Sequence, residues 1–224
     1  MENSLNQSTY ERFKKDILTF SLKPGDTVSA AKIADRYSVS RTPAREALVR
    51  LETEGLVDII PQSRSVISRI DINKAKQEWF IRYSLEIAMV DRIFEHKSEN
   101  LIRQMKKQNK NMTQLSQKAK SHENSYAYQM ADNAFHAATY IAAGEELSAN
   151  VIAGTMAHYS RLRFLTEVED TYQDRTITGH EKLIELLEAD DREGYRSALK
   201  THLGYILKDV EEMERRFPNY FVND

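Results

Sequence analysis

Ser38-Val39-Ser40-Arg41-Thr42-Pro43-Ala44-Arg45-Glu46-Ala47-Leu48-Val49-Arg50-Leu51 is the stretch on which the fold turns. From Thr42 to Thr53, Ala44, Ala47, Leu48 and Leu51 recur at the i, i+3, i+4, i+7 spacing of one helix face. Pro43 suits the first turn of that helix, and Ser40 or Thr42 can cap it. Just upstream, Ser29 to Tyr37 forms a shorter helix with Ile33, Ala34 and Tyr37 inward, so Ser38-Val39-Ser40 is a tight turn between two helices. Opposite the apolar stripe stand Arg41 and Arg45, four apart and therefore stacked near the helix N-terminus. Two guanidinium forks there can pair with guanine edges or clamp phosphates, with the hydroxyls of Ser40 and Thr42 beside them. Standing alone, the two arginines would fit a solvated helix face equally well.

Their surroundings decide between these readings. Val57 with Ile59, and Val66 with Ser68 and Ile70, alternate on either side of Pro61-Gln62-Ser63-Arg64 and predict a β-hairpin. Upstream, Phe13, Ile17 and Leu18 mark another helix, closed by a Pro24-Gly25-Asp26 turn. Three helices followed by a hairpin make a winged helix-turn-helix, whose wing tip, Gln62-Ser63-Arg64, can reach the adjacent groove or phosphates. Residues 30–50 hold five basic side chains (Lys32, Arg36, Arg41, Arg45, Arg50) against two acidic ones. The whole 224-residue chain has a formal net charge of -2, whereas residues 1–70, with 11 basic and 9 acidic side chains, carry +2. Any polyanion site is therefore local.

From Ile72 onward the pattern is helical, with breaks near Lys97-Ser98, His122, Gly144-Glu145, Tyr172-Gln173 and Asp190-Asp191, which predicts about six helices. Only 7 glycines and 4 prolines, three of the prolines before residue 62, agree with long helices there. The fold class expected is mainly α: a winged helix-turn-helix over residues 1–70 and an all-α bundle over residues 71–224, divided near Ser68 to Asn73, where Asp71 or Asn73 can cap a helix. Trp79, Tyr83, Val90 and Phe94 form a helical stripe that reads as core or dimer interface. The absence of cysteine excludes a disulfide framework, a thiolate metal site and a cysteine nucleophile. No apolar run approaches the roughly 18 residues of a membrane span and no signal peptide is legible, so a soluble cytoplasmic protein without membrane contact is expected.

Asp132 and His136, four apart on one helix, share a face. His180 is placed at the opening of the next-to-last helix and His202 midway along the last. A carboxylate and three imidazoles from three helices suit zinc or another borderline divalent ion. Singly, each histidine is more often structural or solvated, and His96, His122 and His158 lack comparable spacing.

Two sets of motifs carry a family resemblance. Leu22-Lys23-Pro24-Gly25-Asp26, Val39 to Leu48, Arg50-Leu51-Glu52 and Glu54-Gly55-Leu56-Val57 resemble the DNA-binding domain of GntR-family transcriptional regulators over nearly all of residues 10–70. Asp132-Asn133-Ala134-Phe135-His136, His180-Glu181-Lys182-Leu183-Ile184 and Leu199-Lys200-Thr201-His202-Leu203 resemble the three metal-bearing segments of the FCD domain, the all-helical sensing domain of the FadR subfamily, over most of residues 73–215. The resemblance implies that Arg41 and Arg45 contact an operator, with Ser40 and Thr42 on phosphates. It also implies that Asp132, His136, His180 and His202 hold one divalent metal ion per chain, zinc first with nickel or manganese as alternatives, to which a small carboxylate effector coordinates. Ile81 to Glu86 resembles the first sensing helix, so Arg82 is the candidate grip for the effector carboxylate, with Glu86 on the same face; an intrahelical pair of Arg82 with Glu78 or Glu86 is the alternative. Ala31 stands where some members carry an arginine, Arg64 where a wing-tip glycine is usual, and Gly144-Glu145 where many have Gly-Asn. Arg64 adds positive charge where DNA should lie.

Two functions compete. The first is a homodimeric regulator, with repression as the expected direction, that reads a palindromic double-stranded operator and answers to a small organic acid. The second is a metal-dependent hydrolase using the same aspartate and histidines, with Glu86 or Glu181 as general base. The motif around Arg41 and Arg45 has no task in an enzyme, so regulation is expected.

Overall fold

Buried apolar faces set the arrangement of the N-terminal helices in this computed structural model, which describes residues 2–60, 64–167 and 170–222. Helices α1 (Glu2–Leu18), α2 (Ala30–Tyr37) and α3 (Arg41–Thr53) close around Phe13, Ile17, Ile33, Ala44 and Leu51, the residues that periodicity placed inward. The Ser29 side chain caps α2 by accepting from the Lys32 N–H, and Ser38 ends it in the left-handed region at φ 57°. A non-glycine residue there is held by its N–H, which returns to carbonyls of the last turn.

The wing is a three-stranded antiparallel sheet of order β1-β3-β2, from β1 (Thr27–Val28), β2 (Val57–Ile60) and β3 (Arg64–Ile67). Val57 pairs with Ile67 and Ile60 with Arg64. Strand β1 was not legible, because two residues carry no periodicity; it follows Gly25, whose φ of 88° demands glycine and whose N–H donates to the Ile67 carbonyl. Ser68 and Ile70, expected in the second hairpin strand, lie beyond it. The Ser68 N–H and hydroxyl bond to the Leu56 and Gly55 carbonyls, and Ile70 forms an isolated parallel bridge with Phe221. Of the expected wing tip, Pro61, Gln62 and Ser63 lie outside the described residues.

Among the described residues eight α-helices follow, where about six were expected: α4 (Ile72–Ala88), α5 (Val90–Glu95), α6 (Glu99–Ser116), α7 (His122–Ala142), α8 (Glu146–Thr155), α9 (Ala157–Glu167), α10 (Asp170–Glu188) and α11 (Arg192–Arg216). Asp71, Ser98, Ser121 and Asp191 cap four of them through side-chain acceptors. The surplus comes from breaks at Met89 and Met156, both buried. At Met89 the hydrogen bonds Met89 N–H to Leu85 O and Ile93 N–H to Met89 O persist at 3.0 and 2.9 Å, so the kink leaves no gap in the apolar pattern. The stripe from Trp79 is internal: the indole N–H donates to the Leu203 carbonyl at 2.8 Å, and Val90 and Phe94 are buried.

A shared core joins the two regions. Phe20 from the N-terminal side packs with Ile70, Phe164, Met213 and Phe221. Arg161, wholly buried in α9, donates to the Ser68 carbonyl at 2.5 Å, and His158 Nδ1 accepts the Asp71 N–H at 3.0 Å. Burial pushes the His158 imidazole down to about 4. His158, unremarkable in the sequence, thus grips the segment between wing and bundle.

Candidate functional site

The exposed face of α3 separates free charge from committed charge. Arg36 is bound to Asp16 at 2.7 Å, Lys32 donates to the Thr27 carbonyl at 3.1 Å, and Arg50 donates to Gln7 at 3.0 Å while lying over the Tyr10 ring. Arg41 and Arg45 are exposed, and no described residue pairs with either. Of the five basic side chains between residues 30 and 50, the two at the head of α3 remain for an outside anion. Ser40 occupies the N-cap position of α3 without a side-chain capping bond, and Thr42 is exposed beside it. Arg64 is exposed at the start of β3.

In the bundle, α7 presents Asp132 and His136, α10 presents His180 and α11 presents His202. His180 lies in the second half of α10 rather than at its opening, because the helix runs unbroken through Tyr172-Gln173, where a break was expected. His136 Nε2 stands 3.3 Å from both His180 Nε2 and His202 Nε2, and His180 Nε2 stands 3.4 Å from Asp132 Oδ1. One ligand atom from each of the four residues lies within 4.8 Å of every other. Atoms bound to one centre at about 2.0–2.1 Å with tetrahedral angles would be about 3.4 Å apart, so the spacing fits a divalent ion.

Three further observations agree with that fit. Burial first, and then its neighbour His202, hold His180 well below the usual imidazole range. Burial first, and then His136, push His202 down to about 3; both rings are therefore neutral, the form that ligates. Burial opposes ionisation of Asp132, but Arg163, and then His136, outweigh it and hold the carboxyl well below its ordinary range. Gly179 makes room for the ring: a Cβ there would fall 2.6 Å from His202 Nδ1.

Behind the donors runs a charged relay. Glu86 Oε2 meets His136 Nδ1 at 2.7 Å, and Glu86 Oε1 accepts from Arg82 Nε at 2.7 Å. Burial works against the Glu86 carboxylate, but His136 and Arg82 hold it down at about 2. The intrahelical alternative for Arg82 is therefore realised, and Glu86 backs His136 with both oxygens engaged. The rest of the Arg82 guanidinium has looser neighbours, Tyr159 Oη at 3.5 Å and Asp132 Oδ2 at 3.8 Å. Arg163, which sequence reasoning missed, donates to Asp132 Oδ2 at 2.6 Å and to Asn133 Oδ1 at 2.8 Å. The available signal was Arg161-Leu162-Arg163 between the bulky Tyr159 and Phe164-Leu165, since arginines drawn into a core need partners. Beside the cluster opens a cavity of about 410 Å³ whose wall includes Arg82, Glu86, His136 and Tyr140.

A winged helix-turn-helix with uncommitted arginines, joined to a helical bundle, is the architecture of a DNA-binding regulator. Residues 5–67 match the gntR family of bacterial regulatory proteins and residues 79–205 match the FCD domain. The chain belongs to the GntR family, carries an FCD domain, and is a transcriptional regulator rather than an enzyme. Glu86 is fully engaged and Glu181 is exposed near Glu185 and Lys106, so neither base expected of a hydrolase is placed for that work.

The chain is 26% identical over 215 residues to an HTH-type transcriptional regulator from an unstable DNA locus of Streptomyces ambofaciens, covering 96% of this chain and 89% of that one. It is 25% identical to the HTH-type transcriptional repressor RspR of Escherichia coli strain K12, covering 98% and 95%. The solved structure of E. coli McbR/YncC superposes with a TM-score of 0.75 at 20% identity over 95% of this chain and 98% of that one, which shows the same fold. Among the described residues no helix is long and apolar enough to cross a membrane.

Proposed function

We propose that the protein is a homodimeric repressor whose grip on a palindromic operator is set by an organic acid bound at a metal site in the bundle. Residues 1–70 act as the reading head and residues 71–224 as the sensor. The observation that carries this reading is the meeting of three imidazole Nε2 atoms and one carboxylate inside the bundle, with one of the four donors, His136, in the wall of the 410 Å³ cavity. Asp132, His136, His180 and His202 hold the ion, zinc by preference, which supplies a Lewis-acidic anchor for a carboxylate. Glu86 fixes the ring of His136, Arg163 fixes Asp132, and the Arg82 guanidinium faces the effector carboxylate. Arg41 and Arg45 meet base edges or backbone, while Ser40, Thr42 and Arg64 meet phosphates.

The repressor name of RspR supports the direction of control. Exposed apolar side chains on two adjoining helices, Phe80 (62% exposed) on α4 and Leu147 (75%) on α8, support a dimer, because such surface is costly to leave in water. An effector shifts DNA affinity only through unequal affinity for the two arrangements of the heads. Elemental analysis of the purified protein, with light scattering and a band-shift titration against organic acids, tests the reading. One metal ion per chain in a dimer that releases DNA on adding an acid is expected. A metal-free dimer whose DNA affinity no organic acid alters would overturn it.

A further inference from the structure

The cavity beside the donor cluster crosses from one region of the molecule to the other. One end is formed by Arg82, His136 and Tyr140 in the bundle, the other by Tyr10, Lys14 and Leu18 of α1, which belongs to the reading head. Between them α7 lends a lengthwise wall: Tyr126, Met130, Ala134, Ala137 and Tyr140 recur at three- and four-residue intervals. From Asp132 and His136 back to Tyr126 is six to ten residues, about 9–15 Å along a helix at ~1.5 Å per residue. The opposite wall is also apolar and small, with Ala149, Ile152, Ala153 and Met156.

The volume is a second observation. At about 410 Å³ it falls within the roughly 300–1,000 Å³ range of pockets that enclose drug-sized molecules, larger than a three- or four-carbon acid needs. Two buried polar atoms on its lining have no partner among the described residues, the Tyr140 hydroxyl near the metal end and Gln129 Oε1. Tyr140 is 2% exposed and Gln129 is 1% exposed, so each keeps a buried polar atom without a hydrogen bond beside the cavity. The far end offers no grip to a second anionic group. Lys14 Nζ is already held by Glu54 at 2.7 Å and by Tyr10 at 3.1 Å, and the Tyr10 hydroxyl donates to Glu54 at 2.5 Å.

We infer that the effector is an amphipathic monocarboxylic acid, its carboxylate at the metal, Arg82 and Tyr140, and its apolar body laid along α7 until it touches α1. The inference rests on the function proposed above and names the ligand that serves it. Because the tail ends against the reading head itself, its contact with Tyr10 and Leu18 differs between head arrangements. Coupling then needs no relay through the bundle.

Decanoate, decanedioate and acetate, titrated calorimetrically into the full-length metal-loaded protein, separate the outcomes. Decanoate is expected to bind at least tenfold tighter than acetate and tenfold tighter than decanedioate, and to be the strongest of the three in releasing operator DNA. Filling the tunnel by Ala134→Phe, or independently by Ile152→Trp, should bring decanoate within about twofold of acetate, with metal content and circular dichroism reporting that the site and fold persist. Equal binding of decanoate and acetate by wild-type protein overturns the inference and leaves the proposed function standing. Preference for decanedioate overturns the monocarboxylate assignment and shows a grip at the far end. Failure of every acid to bind metal-loaded protein sinks both.

Discussion

The head of α3 and the donor cluster of the bundle are both dense in charge, yet they treat it in opposite ways. On α3, Arg41 and Arg45 are exposed and have no partner among the described residues. At the cluster, Arg82, Arg163, Glu86, Asp132 and His136 are buried and mutually bound. A surface meant for an external polyanion leaves its charges uncommitted, with water carrying the cost until the partner arrives. An interior site has no water to lean on and must neutralise itself. The same substitution therefore has different consequences in the two places.

The largest contrast comes from deleting one charge in each. Glu86→Ala strips Arg82 of its close carboxylate and His136 of its acceptor, and should cost about 3–5 kcal/mol in denaturant unfolding. Arg41→Ala should change unfolding by no more than about 0.5 kcal/mol. Equal effects would erase the distinction.

Chelation comes next. An ion at a hundred times its dissociation constant stabilises the native state by about 2.7 kcal/mol, so stripping it should lower the melting temperature visibly in a thermal scan. His180→Ala should lose both the ion and the response to acid while its DNA binding changes little. A variant that keeps stoichiometric metal would break the assignment of the cluster.

On the other side, Arg41→Ala and Arg45→Ala should each cost about 1–3 kcal/mol of operator discrimination in band shifts at fixed salt, with folding intact. Unchanged affinity would mean that free charge on α3 does not mark the reading face.

A pH-dependent effect lies between the two regions, at His158. Its imidazole titrates at about 4 in the fold against about 6.5 in the unfolded chain. Between those values the unfolded state binds more protons, so the His158 contribution is complete above pH 6.5 and lost as pH falls towards 4. His158→Asn, which keeps an acceptor for the Asp71 N–H, should flatten that part of the stability profile relative to wild type. Identical slopes for the two proteins would show that His158 does not titrate with unfolding.

What could be read from the chain divides along the same line. The reading head was legible because its evidence is contiguous: the stripe Ala44, Ala47, Leu48 and Leu51, the Ser38 turn and the alternation after Val57 all act within a few residues. Strand β1 escaped, since two residues make no pattern, and the alternation carried Ser68 and Ile70 into a strand that ends at Ile67. The cluster gathers residues from Asp132 to His202, and each histidine alone looks ordinary; family likeness, not spacing, picked out the four. The partners of Arg163, Gly179 and Arg161 were illegible, because each lies across the fold, although Arg161-Leu162-Arg163 hinted that partners were needed. The break at Met89 was hidden for the opposite reason, as no glycine or proline lies near it, and at Met156 the nearby Gly154 sits inside α8 without interrupting it.

Apart from the Ile70 side chain, which is buried in the shared core, the holds on the stretch from Ser68 to Asp71 fall on the main chain or on a side chain bonded to it. Arg161 takes the Ser68 carbonyl, His158 the Asp71 amide, and the segment around Phe221 both the amide and the carbonyl of Ile70. A clasp of this kind checks spacing as well as spelling. The connecting residues should accept broad substitution at Arg69, whereas inserting or deleting a single residue between Ile67 and Ile72 would shift every donor past its acceptor. For anyone grafting a foreign reading head onto this sensor, chain length through the joint is the specification to preserve, together with the side chains of Ser68, Ile70 and Asp71, while Arg69 is free.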